Sequence, residues 1–132
     1  MGTFASLLDA RKYFEDERFA TANGMQIDEL TDDYCICSFE IAPDHRNALG
    51  GVMGGAIFTL ADFAFAVSAN HDHHPTTAQR VFINYLNVSR GTRLFARTER
   101  IKTGRSTSIW KVLVYDDLGK DIAYFIGNGF KL

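Results

Sequence analysis

The longest apolar run of the chain contains a single charged residue, and this combination constrains the fold more than any other feature. The run covers residues 54–67, and Asp62 is its only charged side chain. Apolar residues occupy nearly the whole circumference of the helix predicted over residues 54–69, so other elements must surround that helix. An ionised carboxylate is costly to bury unless it is paired or its charge is used. Asp62 is therefore either a hydrogen-bonded structural residue or a functional one.

The remaining sequence predicts a sheet that can surround this helix. A short amphipathic helix over residues 4–17, capped by Thr3 or Ser6, precedes strands at 25–30 and 34–41. Four runs rich in Val, Ile, Phe and Tyr follow the central helix with short connections: 79–87, 93–101, 107–115 and 122–131. We expect an α+β fold in which a curved antiparallel sheet wraps around one long central helix. The 132 residues fit one domain, residues 1–132.

Composition argues against a nucleic-acid partner and against a membrane or secreted location. A formal net charge of −2 gives no reason to expect nucleic acid or a membrane surface as a partner. The N-terminus lacks the long apolar segment of a signal peptide, and no run of about 20 apolar residues is long enough to span a membrane. We therefore predict a cytoplasmic protein.

The cysteines and histidines do not predict a metal site. Cys35 and Cys37 alternate in a predicted strand and are expected to point to opposite faces, which disfavours a disulfide between them. His71, His73 and His74 fall in a predicted polar loop and lack partners of fixed geometry. We expect buried, reduced thiols and no bound metal.

The start of the central helix is typical of an oxyanion site. Helix N-termini carry unpaired N–H groups and partial positive charge, and Gly54 and Gly55 have no Cβ to keep a ligand from the backbone. N–H groups aimed at a developing negative oxygen stabilise it strongly, and the Asn47 amide is a candidate second donor. Asp62 lies about 12 Å further along the helix axis, too far to act on the same carbonyl. The spacing therefore predicts a dimer in which a second subunit supplies Asp62.

These residues also form a motif of a known family. Asn47, Gly50, Gly54, Gly55 and Asp62 resemble the pattern Asn-x-x-Gly-x-x-His-Gly-Gly, followed after six residues by Asp, of the hotdog-fold thioesterases. The PaaI-like branch of that family is the most similar. Further likeness lies in residues 83–86, 104–106 and 119–120.

The resemblance implies an acyl-CoA thioesterase that hydrolyses a small or medium acyl group, with aromatic ones among the candidates. In this interpretation the Gly54 N–H, helped by Asn47, polarises the thioester carbonyl, and Asp62 of the neighbouring subunit is general base or nucleophile. Arg105 is a candidate for binding the CoA phosphates. The substrate-binding residues implied by the family are Met53, Gly55, Thr77, Ala78, Gly104, Arg105 and Ser106. The family forms homodimers that pair into dimers of dimers, and it needs no cofactor besides the CoA of the substrate.

Two departures from the family pattern keep a second function open. Met53 replaces the histidine of the motif, and Ala78 stands where relatives carry Ser or Thr, with Thr77 as the nearest substitute. A non-catalytic module that binds acyl-CoA is therefore the main alternative. A hotdog hydratase or dehydratase ranks lower, because it needs a His paired with a carboxylate and the predicted helix carries no His.

Overall fold

One antiparallel sheet curves around a long helix, as the sequence predicted. The computed structural model describes residues 2–132, and its sheet has the strand order β1-β2-β4-β5-β6-β3. The helices are α1 (Leu7–Tyr13), α2 (Arg18–Ala22) and α3 (Gly54–Asp72), with 3-10 turns at Phe14–Asp16 and Pro43–His45. The strands are β1 (Gln26–Leu30), β2 (Cys35–Glu40), β3 (Thr76–Tyr85), β4 (Arg93–Thr103), β5 (Thr107–Asp116) and β6 (Asp121–Lys131).

Helix α3 lies in the concavity of the sheet and forms the centre of the core. Leu60, Ala64 and Val67 are fully buried on it. Phe65 packs against Phe125 of β6, with ring centroids 5.9 Å apart. The close approach of α3 to β6 depends on glycine, because a Cβ at Gly127 would lie 2.7 Å from a ring carbon of Phe65. No helix in residues 2–132 is long and apolar enough to cross a membrane.

The prediction of one continuous N-terminal helix over residues 4–17 is wrong. Ser6 is the N-cap and accepts a hydrogen bond from the Asp9 N–H at 3.1 Å, but α1 ends at Tyr13. At Glu17 the backbone leaves the helical region (φ −76°, ψ 69°), and α2 begins at the next residue. The break allows Phe14 before it and Ala20 after it both to be buried in the core.

Helix α3 is longer than predicted and includes two residues of the expected polar loop. Asp72 pairs with Arg100 of β4 at 2.8 Å. The His71 ring is buried, where Nδ1 accepts from the Phe4 N–H at 3.2 Å and Nε2 donates to Asp32 at 2.9 Å. These long-range contacts stabilise the last helical turn. Strand β3 then begins at Thr76 rather than at residue 79.

The expectation that the cysteines face opposite sides of a strand is wrong. Side chains alternate with a period of two residues, so residues two apart share a face. Cys35 and Cys37 are both fully buried on the core face of β2, as free thiols. The Cys35 thiol donates to the carbonyl of Ala64 at 3.3 Å.

Strand β3 lies at an edge of the sheet. It pairs with β6 on one side only, so its other side presents unpaired N–H and C=O groups over a strand of 10 residues. Such an edge is a template for pairing with a second chain.

We expect Gly127→Ala to destabilise the fold. The added methyl group would press on Phe65 and Phe125, whose nearest atoms would be 2.7 Å and 2.9 Å away, and overpacking of this kind costs about 1–3 kcal/mol. Asn128→Ala, on the opposite face of the same strand, is the matched control and is expected to change stability by less than about 0.5 kcal/mol. Urea denaturation measures both, and equal stability of the two variants would contradict the packing account.

Candidate active site

The N-terminus of α3 presents unpaired backbone donors. Met53 is the N-cap, in an extended conformation (φ −63°, ψ 136°), and its side chain makes no capping hydrogen bond. The Gly54 and Gly55 N–H groups donate to no acceptor within residues 2–132, whereas Ala56 and Ile57 donate to the Met53 carbonyl. Two donors at the positive end of a 19-residue helix are thus free to bind an oxyanion.

Asn47 holds the loop that leads into α3. Its Oδ1 accepts from the N–H groups of Leu49 and Gly51 at 3.0 and 3.1 Å. The loop also needs Gly50 at φ +87°, a conformation that other residues rarely adopt. The Asn47 side-chain NH₂ makes no hydrogen bond with the described part of the chain. Asn47 is therefore a turn residue through its oxygen, while its nitrogen is left to donate into the cavity that it shares with Gly54.

Asp62 lacks the partner that a structural carboxylate requires. It is half-buried in the middle of α3 and makes no hydrogen bond or ion pair with any residue in the range 2–132. Burial raises the pKa of Asp62, and the negative charge of Glu17 raises it further. Both carboxylates line a cavity of about 280 Å³, together with Phe19, Phe58 and other residues of α2 and α3. These contacts do not support the first of the two roles that the sequence left open for Asp62, that of a hydrogen-bonded structural residue.

Two cavities adjoin the first turn of α3. The amide-lined cavity, of about 450 Å³, is bounded by Asn47, Gly51, Val52, Gly54, Ile57 and residues 85–89. The aromatic cavity, of about 400 Å³, is bounded by Phe19, Met25, Met53, Gly55, Phe58, Tyr85 and several polar residues. Met53 is half-exposed and lies over Gly55, where a Cβ would be 2.8 Å from the Met53 methyl group.

The remaining predicted residues lie at the opposite end of α3. Thr77 and Ala78 are exposed near the start of β3, which is tied to the end of α3 by the bond from the Thr76 N–H to Asn70 Oδ1 at 2.8 Å. Gly104, Arg105 and Ser106 form the hairpin between β4 and β5, next to Thr103, which bonds Asp72. Because α3 is about 27 Å long, one chain does not bring these residues to Gly54.

Sequence reasoning missed several residues around the site. Tyr85 packs on Gly54 from the end of β3, and its hydroxyl donates to the Gly54 carbonyl at 3.1 Å. Glu17 and Phe19 reach Asp62 only because the N-terminal segment folds over α3. The one available signal was the likeness of residues 83–86 to the thioesterase family; nothing local marked Glu17 or Phe19.

Histidines do not form a metal site in the described part of the chain. No group of three or more His, Cys, Asp or Glu side chains within residues 2–132 is placed to hold an ion. His45 is buried, and its ring accepts from the Ala42 N–H at 2.9 Å and donates to the Asn23 carbonyl at 2.8 Å. It fixes the loop next to the aromatic cavity.

The profile of the thioesterase superfamily matches residues 49–123 of this chain. The chain belongs to the thioesterase superfamily. Among its relatives, an Archaeoglobus fulgidus putative esterase is 28% identical over 121 residues, 91% of this chain and 78% of that protein. The Escherichia coli acyl-coenzyme A thioesterase PaaI is 23% identical over 125 residues, 94% of this chain and 89% of that protein. The prediction of a thioester hydrolase in the PaaI-like branch is confirmed by these matches.

Solved structures confirm the hotdog fold. The E. coli PaaI protein has a TM-score of 0.88 at 22% identity and covers 93% of this chain and 90% of its own. A mutant of the phenylacetic acid degradation protein PaaI from Thermus thermophilus has a TM-score of 0.81 at 30% identity. The match covers 86% of this chain and 98% of that protein. A hypothetical thioesterase protein from Streptococcus pneumoniae, solved with coenzyme A, has a TM-score of 0.81 at 21% identity, and the match covers 89% of this chain and 94% of that protein.

We expect Asp62→Asn to raise the thermal stability of the protein at pH 7. The pKa of Asp62 in the folded state lies above its ordinary value of 3.8, so the folded state disfavours the ionised form and the charge lowers stability above that pKa. The penalty decreases as pH falls through the folded pKa and disappears below about pH 4, where the carboxyl is protonated in both states. Melting temperatures from pH 4 to 8 measure the difference.

Asp16 supplies the control. It lines the same cavity of about 280 Å³ as Asp62 but is exposed, so Asp16→Asn removes an equal charge that is already solvated. A loss of stability in Asp62→Asn at pH 7 would mean that the carboxylate has a stabilising partner, and the interpretation of Asp62 as an unpaired group would then be wrong.

Proposed function

We propose that this protein hydrolyses acyl-CoA thioesters of small or medium acyl groups to the free acid and CoA. One observation supports this function above all others. Thioester hydrolysis requires an oxyanion donor and a base. Helix α3 offers unpaired N–H groups at its start and an unpaired, half-buried carboxylate eight residues later.

The N–H groups of Gly54 and Gly55 bind the thioester oxygen. As water or a carboxylate attacks the carbonyl carbon, negative charge develops on this oxygen, and the fixed donors at the positive helix end stabilise it. The free NH₂ of Asn47 adds a donor from the amide-lined cavity. No bound ion is required in this mechanism, because the helix end supplies the positive potential.

Asp62 of a second subunit takes a proton from the attacking water, and the C–S bond then breaks to release the CoA thiolate and the acid. In the alternative route Asp62 attacks the carbonyl carbon itself and expels the CoA thiolate, and water then hydrolyses the resulting anhydride to free Asp62 and the acid. Burial raises the pKa of Asp62 above its ordinary value, which makes the carboxylate a stronger base than that of an exposed aspartate. Pairing of two β3 edges would place two α3 helices side by side and antiparallel, so that Asp62 of one chain approaches Gly54 of the other. The same pairing brings the β4–β5 hairpin, with Arg105, toward the partner's site.

Coenzyme A as the thiol component is supported by two relatives of the fold. The S. pneumoniae thioesterase carries coenzyme A, and the Streptococcus mutans protein smu.793 carries acetyl CoA. In this chain, Gly104, Arg105 and Ser106 form an exposed hairpin whose guanidinium has no partner in residues 2–132 and suits a phosphate. Thr77 and Ala78 would lie beside it along the paired edges.

A non-catalytic acyl-CoA binding module is the second candidate, favoured by the apolar Met53 at the N-cap of α3. The hydratase alternative has less support. Helix α3 does carry His71, which pairs with Asp32 of the β1–β2 connection, but both ring nitrogens are engaged and the ring is buried far from Gly54.

Thiol release from a panel of acyl-CoAs tests the proposal. We expect the wild type to turn over at least one member and Asp62→Asn to lose about 10²–10⁴-fold in kcat while it stays folded, since general-base catalysis contributes that much. Asp16→Asn is the control and should retain activity. Absence of thiol release by the wild type, combined with thermal stabilisation by acyl-CoA, would instead identify a binding module.

Mixing two inactive variants tests whether the site is shared between subunits. Asp62→Asn removes the base, and Gly54→Val places a branched side chain where even a Cβ would lie 3.3 Å from the Tyr85 ring. A mixed dimer contains one site with both defects and one intact site. Co-refolding equal amounts should therefore restore about a quarter of wild-type activity, and no recovery in verified mixed dimers would place the whole site within one chain.

A further inference from the structure

Tyr85 separates the two cavities at the start of α3. It lines both the amide-lined and the aromatic cavity, whereas Gly54 borders only the first and Gly55 only the second. The boundary between the cavities thus coincides with the pair of unpaired N–H groups. A thioester whose oxygen binds there would extend its two arms on either side of the Tyr85 ring.

The position of the Tyr85 ring is fixed by Gly54. A Cβ at Gly54 would lie 3.3 to 3.5 Å from three atoms of the tyrosine, so the ring rests directly on the glycine. The hydroxyl donates to the Gly54 carbonyl at 3.1 Å. Tyr85 is nevertheless 52% exposed, so no residue in the range 2–132 of its own chain covers the other face of the ring.

The walls of the two cavities differ in chemistry. The aromatic cavity is lined by Phe19, Met25, Met53 and Phe58, which provide an apolar surface. The amide-lined cavity offers the free NH₂ of Asn47 and the side-chain oxygen of Asn87, whose nitrogen already donates to the Asp121 carbonyl at 2.8 Å. An acyl group suits the first surface, and the amide bonds of a pantetheine arm suit the second.

We propose that Tyr85 is a specificity-determining residue, whose ring directs an apolar, ring-sized acyl group into the aromatic cavity and the pantetheine arm into the amide-lined cavity. This assignment rests on the proposed function, and it adds which residue discriminates between acyl groups. The ring acts as a wall, so its loss joins the two cavities and removes one apolar side of the acyl site. The hydroxyl only anchors the ring.

Calorimetric binding in the Asp62→Asn background tests the proposal without turnover. The probes are CoA and phenylacetyl-CoA, and the measured quantity is the ratio of their Kd values. We expect phenylacetyl-CoA to bind at least about tenfold more tightly than CoA, because burying an aromatic ring contributes that much. Tyr85→Ala should reduce this ratio about fivefold or more, whereas Tyr85→Phe, which keeps the ring, should leave it within about twofold.

Leu86→Ala is the matched control. Leu86 is the next residue and is also exposed, but it borders only the amide-lined cavity. Its removal should weaken both ligands equally and leave the ratio unchanged, and melting curves verify that each variant is folded.

An unchanged ratio in Tyr85→Ala overturns the proposal, and so does an equal loss in Tyr85→Phe, which would assign the effect to the hydroxyl. Failure of the proposed function is seen separately, as absence of thiol release by the wild type while the binding ratio still depends on Tyr85. If the Asp62→Asn protein binds neither probe, both proposals are wrong.

Discussion

The structure depends on the burial of one helix that has almost no polar side. Helix α3 cannot lie at a surface, because the buried side chains of Leu60, Phe63 and Phe65 point to different sides of it and all require apolar neighbours. A flat sheet covers only one side of a helix, and the curved sheet covers most of it. Gly127 makes the closest approach feasible by leaving room for Phe65. The antiparallel strands, the short hairpins and the folded-back N-terminal segment all follow from the need to enclose this helix.

The same enclosure leaves polar groups of α3 without partners among residues 2–132. The Gly54 and Gly55 N–H groups stay unpaired at its first turn, and the sheet supplies no partner for Asp62. Unpaired donors and a desolvated carboxylate lower stability, a local cost that is expected at functional sites. In the proposed function, these groups are the oxyanion donors and the base. The helix holds them about 12 Å apart along its axis, and the proposed pairing of two β3 edges is what would bring the groups of two chains together.

Local patterns determined a large part of this description. The central helix, the six strands, and the turns at Gly24 and Gly119, both at positive φ, follow from periodicity and turn chemistry. The Gly-Gly start of α3 and the lone Asp62 indicate a candidate site, because helix termini and buried charges have predictable energetics. The motif around them indicated the family that the comparisons confirmed.

Tertiary contacts decided the rest. The break at Glu17 exists because Phe14 and Ala20 must both reach the core, and the last turn of α3 forms because Arg100 and Phe4 bind it from distant parts of the chain. The wrong prediction that Cys35 and Cys37 face opposite sides was an error of strand geometry, because residues two apart in a strand share a face. It could have been avoided from the sequence. The contact of Tyr85 with Gly54 and the position of Glu17 beside Asp62 could not have been predicted from the sequence. Proximity between residues far apart in sequence depends on how whole elements pack, and a local pattern carries no information about it.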